Sequence, residues 1–277
     1  TVAGHVVYSP ASGSILNVGV DRVLSVNFTP NDVTNYNSVA GTNVLITITK
    51  ATVTATANNQ TRTYGAANPA LTITYSGFVN SETSLVLDIL PAAATTASGV
   101  SVVGSVPITV SGGVDTNYDF IYVAGALTIT KATITAIGVD ANRAYGAANP
   151  TLSIAYTGFL NGENASVIDA LPAVSTTATV LSNAGAYPIT VASGLDNNYS
   201  FLYTGGTLTV TKATVTATAS NATRVYGVAN PTFTIVYSGF VNSETSAVLD
   251  VLSTASTTAT LASSVGSYPI TVSGGTD

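Results

Sequence analysis

Cysteine, methionine and tryptophan are absent from the 277-residue chain, and histidine occurs once, at position 5. Without cysteine there are neither disulfides nor thiolate metal ligands. A single imidazole leaves no His cluster for zinc and no second group to complete a hydrolase triad around His5. Charged residues make up 7% of the chain, against about 25% in an ordinary soluble domain. Lys plus Arg number 7 and Asp plus Glu 13, a net charge of -6. So few cations cannot neutralise a run of phosphates, which excludes nucleic acid as a natural partner. Hydrophobic residues reach 46% and the mean hydropathy is +0.43, yet Thr, Ser, Asn or Gly interrupts every apolar run well short of the ~20 residues a spanning helix needs. Thr1-Val2-Ala3-Gly4-His5 carries neither the basic nor the apolar region of a leader, so any targeting segment is expected outside this stretch.

What is present is repetition. Lys50, Lys131 and Lys212 are spaced by 81 residues, as are Tyr64-Gly65, Tyr145-Gly146 and Tyr226-Gly227, and Asn68-Pro69, Asn149-Pro150 and Asn230-Pro231. A period of that length is tandem duplication of a small domain, not the coil of a solenoid. The expected organisation is a module at 1–49, copies at 50–131 and 132–212, and a third copy at 213–277 that stops before its closing strands. The chain reads as a window from a longer repetitive protein, open at both ends.

Each copy reads as mainly β. Ala51 to Ala57 alternates Thr with Val and Ala, at period 2. Asn58 to Pro69 is turn-rich. Leu71–Tyr75, Thr95–Ser98 and Val106–Val110 read as further strands. Asn80-Ser81-Glu82-Thr83 before Leu85–Leu90 predicts a short helix stopped at Pro91. Tyr118–Tyr122 and Leu127–Thr130 predict a hairpin turning at Val123–Ala126. Leu127–Thr130 then runs through Lys131 into the next copy's first strand with no Gly- or Ser-rich linker, so a semi-rigid, elongated rod is expected, at roughly 30–45 Å per copy. In residues 1–49, strands separated by turns predict part of a β-sandwich.

The 81-residue unit resembles the MBG domain of the YGX type, a module of bacterial surface proteins and adhesins. The residues that carry the resemblance are Tyr64-Gly65-Ala66-Ala67-Asn68-Pro69, Tyr75-Ser76-Gly77-Phe78, Asn80-Ser81-Glu82, and Asn117-Tyr118 through Leu127-Thr128-Ile129-Thr130-Lys131-Ala132. It implies small β-grasp-like domains in tandem and no catalytic residues. Residues 1–49 resemble the C-terminal half of a bacterial Ig-like repeat through Tyr8-Ser9-Pro10 and Phe28-Thr29-Pro30-Asn31-Asp32 to Asn35-Tyr36.

Candidate sites are few. Glu82 with Asp88, Glu163 with Asp169 and Glu244 with Asp250 recur as carboxylate pairs, which a glycosidase would use beside sugar-stacking aromatics; flanking a short helix explains them equally. Asp115, Asn117 and Asp119 form the start of a calcium loop, but Phe120 and Ala126 stand where its Gly and Glu belong, and an Asx turn fits the same residues. Lys50, Lys131 and Lys212 are candidates for an intradomain Lys–Asn crosslink, which intact mass would reveal as a loss of ~17 Da per copy, or for solvated lysines at domain ends. Arg62 with Tyr64, Arg143 with Tyr145 and Arg224 with Tyr226 place a cation and a ring on one strand face, as a structural cation–π or ion pair or as a contact for glycan or anion. The Thr-x-Thr strings fit half-exposed strands and not an ice-binding ladder. Asn27, Asn59, Asn164, Asn198 and Asn221 head glycosylation sequons. No cofactor is called for. The partners expected are neighbouring repeats, laterally associated rods or a glycan, in an extracellular setting on a bacterial surface or secreted filament. Two readings stay open: a structural stalk, and repeats that themselves bind.

Overall fold

A computed structural model describes all residues 1–277. They form two compact units, residues 1–132 with 197–199, and residues 133–196 with 200–277. The secondary structure is strand and turn throughout, with no α-helix.

The first unit opens with β1 (Gly4–Ser9), β2 (Gly19–Pro30) and β3 (Val39–Ile48), an antiparallel sheet in the order β1-β2-β3. Pro30 is the one buried residue of 1–49, and Val6, Tyr8, Val44 and Leu45 are exposed. Residues 1–49 thus form one three-stranded sheet where part of a sandwich was expected.

The next strands are β4 (Ala51–Ala57), β5 (Gln60–Thr63), β6 (Ile73–Ser76), β7 (Ala92–Thr95), β8 (Gly104–Ser111), β9 (Tyr118–Val123) and β10 (Gly125–Thr130). They form two sheets, β6-β4-β9 and β5-β10-β8-β7. The period-2 pattern decides which side chains turn inward: Val53, Ala55, Ile108, Leu127 and Ile129 are at most 1% exposed while the Thr residues between them face outward or lie half-buried. Burying each of the larger ones contributes about 1.5–3 kcal/mol.

Four expectations are corrected here. β9 and β10 are not a hairpin. β9 pairs parallel with β4, β10 pairs parallel with β5 and antiparallel with β8, and the single residue between them carries the chain from one sheet to the other. The predicted helix is one 3-10 turn, Ser84–Val86, capped by the Thr83 side chain. Asn80 and Ser81 just before it have φ of 53° and 60°, in the left-handed region that no helix start adopts, and Leu87 is already extended. A β-grasp sheet packs on an α-helix, and this sheet pair has none to grasp. β5 is a strand that the turn-rich reading of Asn58–Pro69 missed.

The second copy holds β11 (Ala132–Gly138), β12 (Ala141–Ala144), β13 (Ile154–Thr157), β14 (Ala173–Thr176), β15 (Gly185–Ala192), β16 (Tyr199–Thr204) and β17 (Gly206–Thr211), in sheets β13-β11-β16 and β12-β17-β15-β14, all but Ala132 and Tyr199 in the second unit. Its core includes Ala178, Ile189 and Leu208, with Leu152, Val174 and Tyr187 packed against them. β18 (Thr216–Ala219) with β19 (Ile235–Ser238), and β20 (Thr254–Thr257) with β21 (Ile270–Ser273), form two-stranded sheets. No residue of 213–277 is buried. The counterparts of β16 and β17, which bridge the sheets of the second copy, fall beyond position 277.

Candidate functional site

The side chains that recur every 81 residues gather in three places. The first is a buried arginine clamp. β5 turns Arg62 inward, where it is 6% exposed, and Arg62 Nε donates to Asn68 Oδ1 (2.8 Å), Nη1 to the Thr63 carbonyl (3.0 Å) and Nη2 to the Ser98 carbonyl. Asn68 Nδ2 in turn donates to the Ala97 carbonyl (2.6 Å). In the second copy Arg143 repeats this with Asn149 (2.7 Å), the Ala144 carbonyl (3.1 Å) and the Thr179 carbonyl, and Asn149 reaches the Ala178 carbonyl (2.7 Å). In the third copy Arg224 donates to the carbonyls of Val228 (3.1 Å) and Thr260, and Asn230 to that of Ala259 (2.8 Å). The guanidinium is thus spent on neutral acceptors of its own copy. Its five donors fan out where a single ammonium could not. Sequence reading paired Arg62 with Tyr64 and passed over Asn68; the constant Arg-to-Asn spacing in all three copies was the available signal.

The second place is the Asx turn. Asp115 is 6% exposed; its Oδ1 accepts from the N–H groups of Asn117 (2.7 Å) and Tyr118 (3.0 Å), and its Oδ2 from that of Asp88 (3.3 Å). Lys50 Nζ donates to the Asp115 carbonyl (2.7 Å) and lies 3.5 Å from Asp119 Oδ1. Lys212 Nζ donates to the matching Asp277 carbonyl. The calcium-loop candidates are therefore separated: Asp115 faces backbone donors, Asp119 a lysine, and Asn117 turns away to Val18. No group of three or more His, Cys, Asp or Glu side chains is gathered anywhere to hold a metal. Lys50 rests on a carbonyl and a carboxylate, where the crosslink reading required an asparagine. The carboxylates of the first recurring pair also have separate tasks. Asp88 Oδ2 accepts from Thr116 N–H and Oγ1 (both 3.0 Å), and Glu82 Oε2 accepts from Tyr118 Oη (2.5 Å).

The third place is where one copy meets the next module. Within the first unit, the Val18 N–H donates to Asn117 Oδ1 (2.9 Å) and the Val103 N–H to Asn198 Oδ1 (3.0 Å). One recurring asparagine thus holds the backbone of whatever precedes it. Beside it, the Tyr199 ring meets the Tyr64 ring edge-on at 5.4 Å and 80°. Within the second unit, Tyr145 Oη donates to Glu244 Oε1 (2.6 Å). Gly146, at φ +76°, lets the backbone approach Val241, since a Cβ there would lie 2.5 Å from Val241 Cγ2. Tyr64, packed in this way, is 4% exposed, and Tyr226 is 64% exposed.

Both partners of these carboxylates are shifted. Burial and then the bond to Glu82 raise the Tyr118 pKa above its ordinary value, and the bond to Glu244 does so for Tyr145. A phenol whose folded pKa is raised favours folding fully below its unfolded pKa, near 10, and that contribution is lost as pH climbs through the folded value. Circular dichroism is therefore expected to show stability falling above about pH 10, less steeply in Tyr118→Phe.

A cavity of about 940 Å³ in the second unit is lined by Tyr145, Lys212, Val215, Ala217, Phe240 and Glu244, among others. The counterparts of Val215 and Ala217 in the first copy, Val53 and Ala55, are fully buried and paired with β9. The cavity is the uncovered core of the third copy. No helix is long and apolar enough to cross a membrane.

The family model described as MBG domain (YGX type) matches residues 52–128, 132–209 and 214–277. The chain belongs to the MBG domain family, YGX type. The Tyr-Gly pair of each MBG copy, Tyr64-Gly65, Tyr145-Gly146 and Tyr226-Gly227, falls inside a matched stretch; residues 1–49 lie outside all three, so the Ig-like resemblance has no family match behind it. No curated protein matches the chain. Among solved structures it is similar to "Protocadherin Gamma B7 extracellular cadherin domains 1-4" at 8% identity and a TM-score of 0.29, over 93% of this chain and 75% of that one, too slight a likeness to assign a fold.

Proposed function

We propose that the chain is a structural spacer, a segment of a repetitive bacterial adhesin or extracellular filament that acts outside the cell and performs no catalysis. The observation that carries this reading is the destination of the recurring polar side chains. Arg62 and Arg143 close carbonyls inside their own copies, Asn117 and Asn198 hold the preceding module, and Tyr145 meets Glu244 of the following copy. Residues spent on cores and junctions are what a spacer needs and what a ligand site lacks. Membership in a family of surface-protein modules supports the setting.

A second reading, glycan binding by the repeats themselves, has one observation in its favour. Phe120 and Tyr122 hold their rings parallel at 5.9 Å, and Phe201 and Tyr203 do the same. Tyr122 is 40% and Tyr203 38% exposed, which leaves sugar-stacking area open. Against this, the Gly113 and Gly194 N–H groups donate to the two tyrosine hydroxyls (3.0 and 2.8 Å), tying the rings into the sheet edge. A glycan array probed with the full chain separates the readings. The spacer predicts no selective signal; a signal abolished by Tyr122→Ala together with Tyr203→Ala would replace it with the binding reading.

A further inference from the structure

The first and last strand pairs of a copy share one register. β4 pairs parallel with β9 from Ala51↔Tyr118 to Thr56↔Val123, and β5 pairs parallel with β10 from Gln60↔Leu127 to Thr63↔Thr130. Every partner is 67 positions on, although the two ladders belong to different sheets. Where the chain changes sheets the register is kept by a side chain, as the Ala126 N–H donates to Asn59 Oδ1 (2.8 Å). Gly125 permits the crossing, because a Cβ there would lie 2.5 Å from the Ala57 carbonyl oxygen. The ladder is closed at one end by Ala51 N–H to the Asn117 carbonyl (2.9 Å) and at the other by Tyr64 N–H to the Thr130 carbonyl (2.8 Å). Residues 51–63 and 118–130 therefore run side by side in one parallel register, as two successive ladders joined by the Asn59 bridge, with about 40 Å of strand at ~3.3 Å per residue.

The second copy is built the same way. β12 pairs parallel with β17 from Ala141↔Leu208 to Ala144↔Thr211, again 67 positions apart, and β11 neighbours β16. Asp140 takes the bridging place of Asn59, accepting from the Thr207 N–H (2.6 Å). A different side chain thus makes the same bridge, so the feature belongs to the architecture and not to one residue. One residue, Lys131, separates the end of β10 from the start of β11.

We infer that each complete copy is a tension-bearing clamp, in which the parallel ribbon of its first and last strands carries load in shear. Tension reaches a copy at the start of β4 and leaves at the end of β10. These are opposite ends of a parallel ribbon, so the pull slides one strand along the other and loads every rung at once. A hairpin of the same strands would open one rung at a time. Residues 64–117 lie off this load path. A spacer needs only length, so this property goes beyond the spacer reading and does not depend on cellular setting. The third copy is an internal contrast, since its first strand segment has no parallel partner: β18 pairs only with β19.

Single-molecule pulling on the full chain tests this. Stretched from its two termini, the chain is expected to show two high-force ruptures, each releasing about 250 Å (80 residues at ~3.6 Å, less the ribbon). Residues 1–49 and the third copy should extend at low force. Because the chain has no native cysteine, handles can be placed at will. Thr52→Cys with Thr130→Cys pulls the first copy in shear, and Thr52→Cys with Ile121→Cys pulls it from one end of the ribbon. The shear pair should rupture at several-fold higher force. Equal forces in the two geometries would overturn the clamp, as would terminal pulling of the unaltered chain without two high-force events, a result that does not depend on how the cysteine variants fold. Asn59→Ala should lower the first copy's rupture force while leaving the second's unchanged.

Discussion

Arg62→Ala is expected to destabilise the first copy by about 3–5 kcal/mol. The guanidinium is buried and holds Asn68 Oδ1 and the carbonyls of Thr63 and Ser98. Removing it leaves Asn68 Oδ1 without the arginine that holds it, at about 1–3 kcal/mol for an unsatisfied buried group, and takes a charged donor from the Thr63 and Ser98 carbonyls, at about 1.5–3 kcal/mol for each such bond, partly recovered because the Ala66 and Ser101 N–H groups still donate to them and water enters. Asn68 also loses the contact that orients it toward the Ala97 carbonyl. Lysine is not expected to rescue the loss, since its ammonium cannot span acceptors on three separate segments. Arg224→Ala is expected to cost about 1 kcal/mol or less, because the third-copy clamp is half-buried and water replaces the lost bonds. Hydrogen exchange under increasing urea, read by peptide, checks all three. Loss of protection should be confined to the altered copy, and equal costs at Arg62 and Arg224 would mean that burial does not set the strength of the clamp.

Appending the sequence of residues 197–212 after Asp277 is expected to turn the third copy into a cooperatively folded domain. Asp277 corresponds to Asp196, so the added segment supplies the counterparts of Tyr199, Leu208 and Val210, all at most 2% exposed in the second copy. It would cover the cavity lined by Val215, Ala217 and Phe240 and restore the parallel ribbon. The local unfolding free energy should rise from near zero to the ~4–10 kcal/mol of a small domain, slowing amide exchange in β18–β21 at least about a thousandfold. Unchanged exchange would show that the closing strands are not what the third copy lacks.

Both predictions turn on non-local pairing, and that is also where the sequence was least legible. β4 could be read directly, because Val53, Ala55 and Ala57 alternate with Thr and the buried positions follow that alternation. β5 could not, because its inward residue is Arg62, and a charged side chain at a core position hides the period. The closing strands were found but mispaired. Tyr118–Val123 and Gly125–Thr130 sit next to each other in sequence with only Ala124 between, as hairpin strands do, whereas their parallel partners lie 67 residues upstream, a distance at which no local pattern reports pairing. The helix expected after Asn80 failed on two backbone angles. Asn80 and Ser81 take positive φ to build the turn that presents Glu82, so the cap-like composition belongs to a turn and a single 3-10 loop. At the candidate site the Asx turn at Asp115 was legible, but the partners of most other recurring side chains were not. Lys50, read as a crosslinking or solvated lysine, donates to the carbonyl of an Asx turn. Asn117, read as a calcium candidate or as part of an Asx turn, accepts from the module before it.

The proposed spacer requires that successive copies add reach. Small-angle scattering of the chain, and of chains lengthened by one and two complete copies of residues 132–212, tests it most directly. For a spacer, the maximum dimension is expected to grow by a constant ~30–45 Å for each added copy. Growth that falls off with the square root of length, as for freely jointed beads, or a dimension that stays fixed as copies fold back on one another, would contradict it.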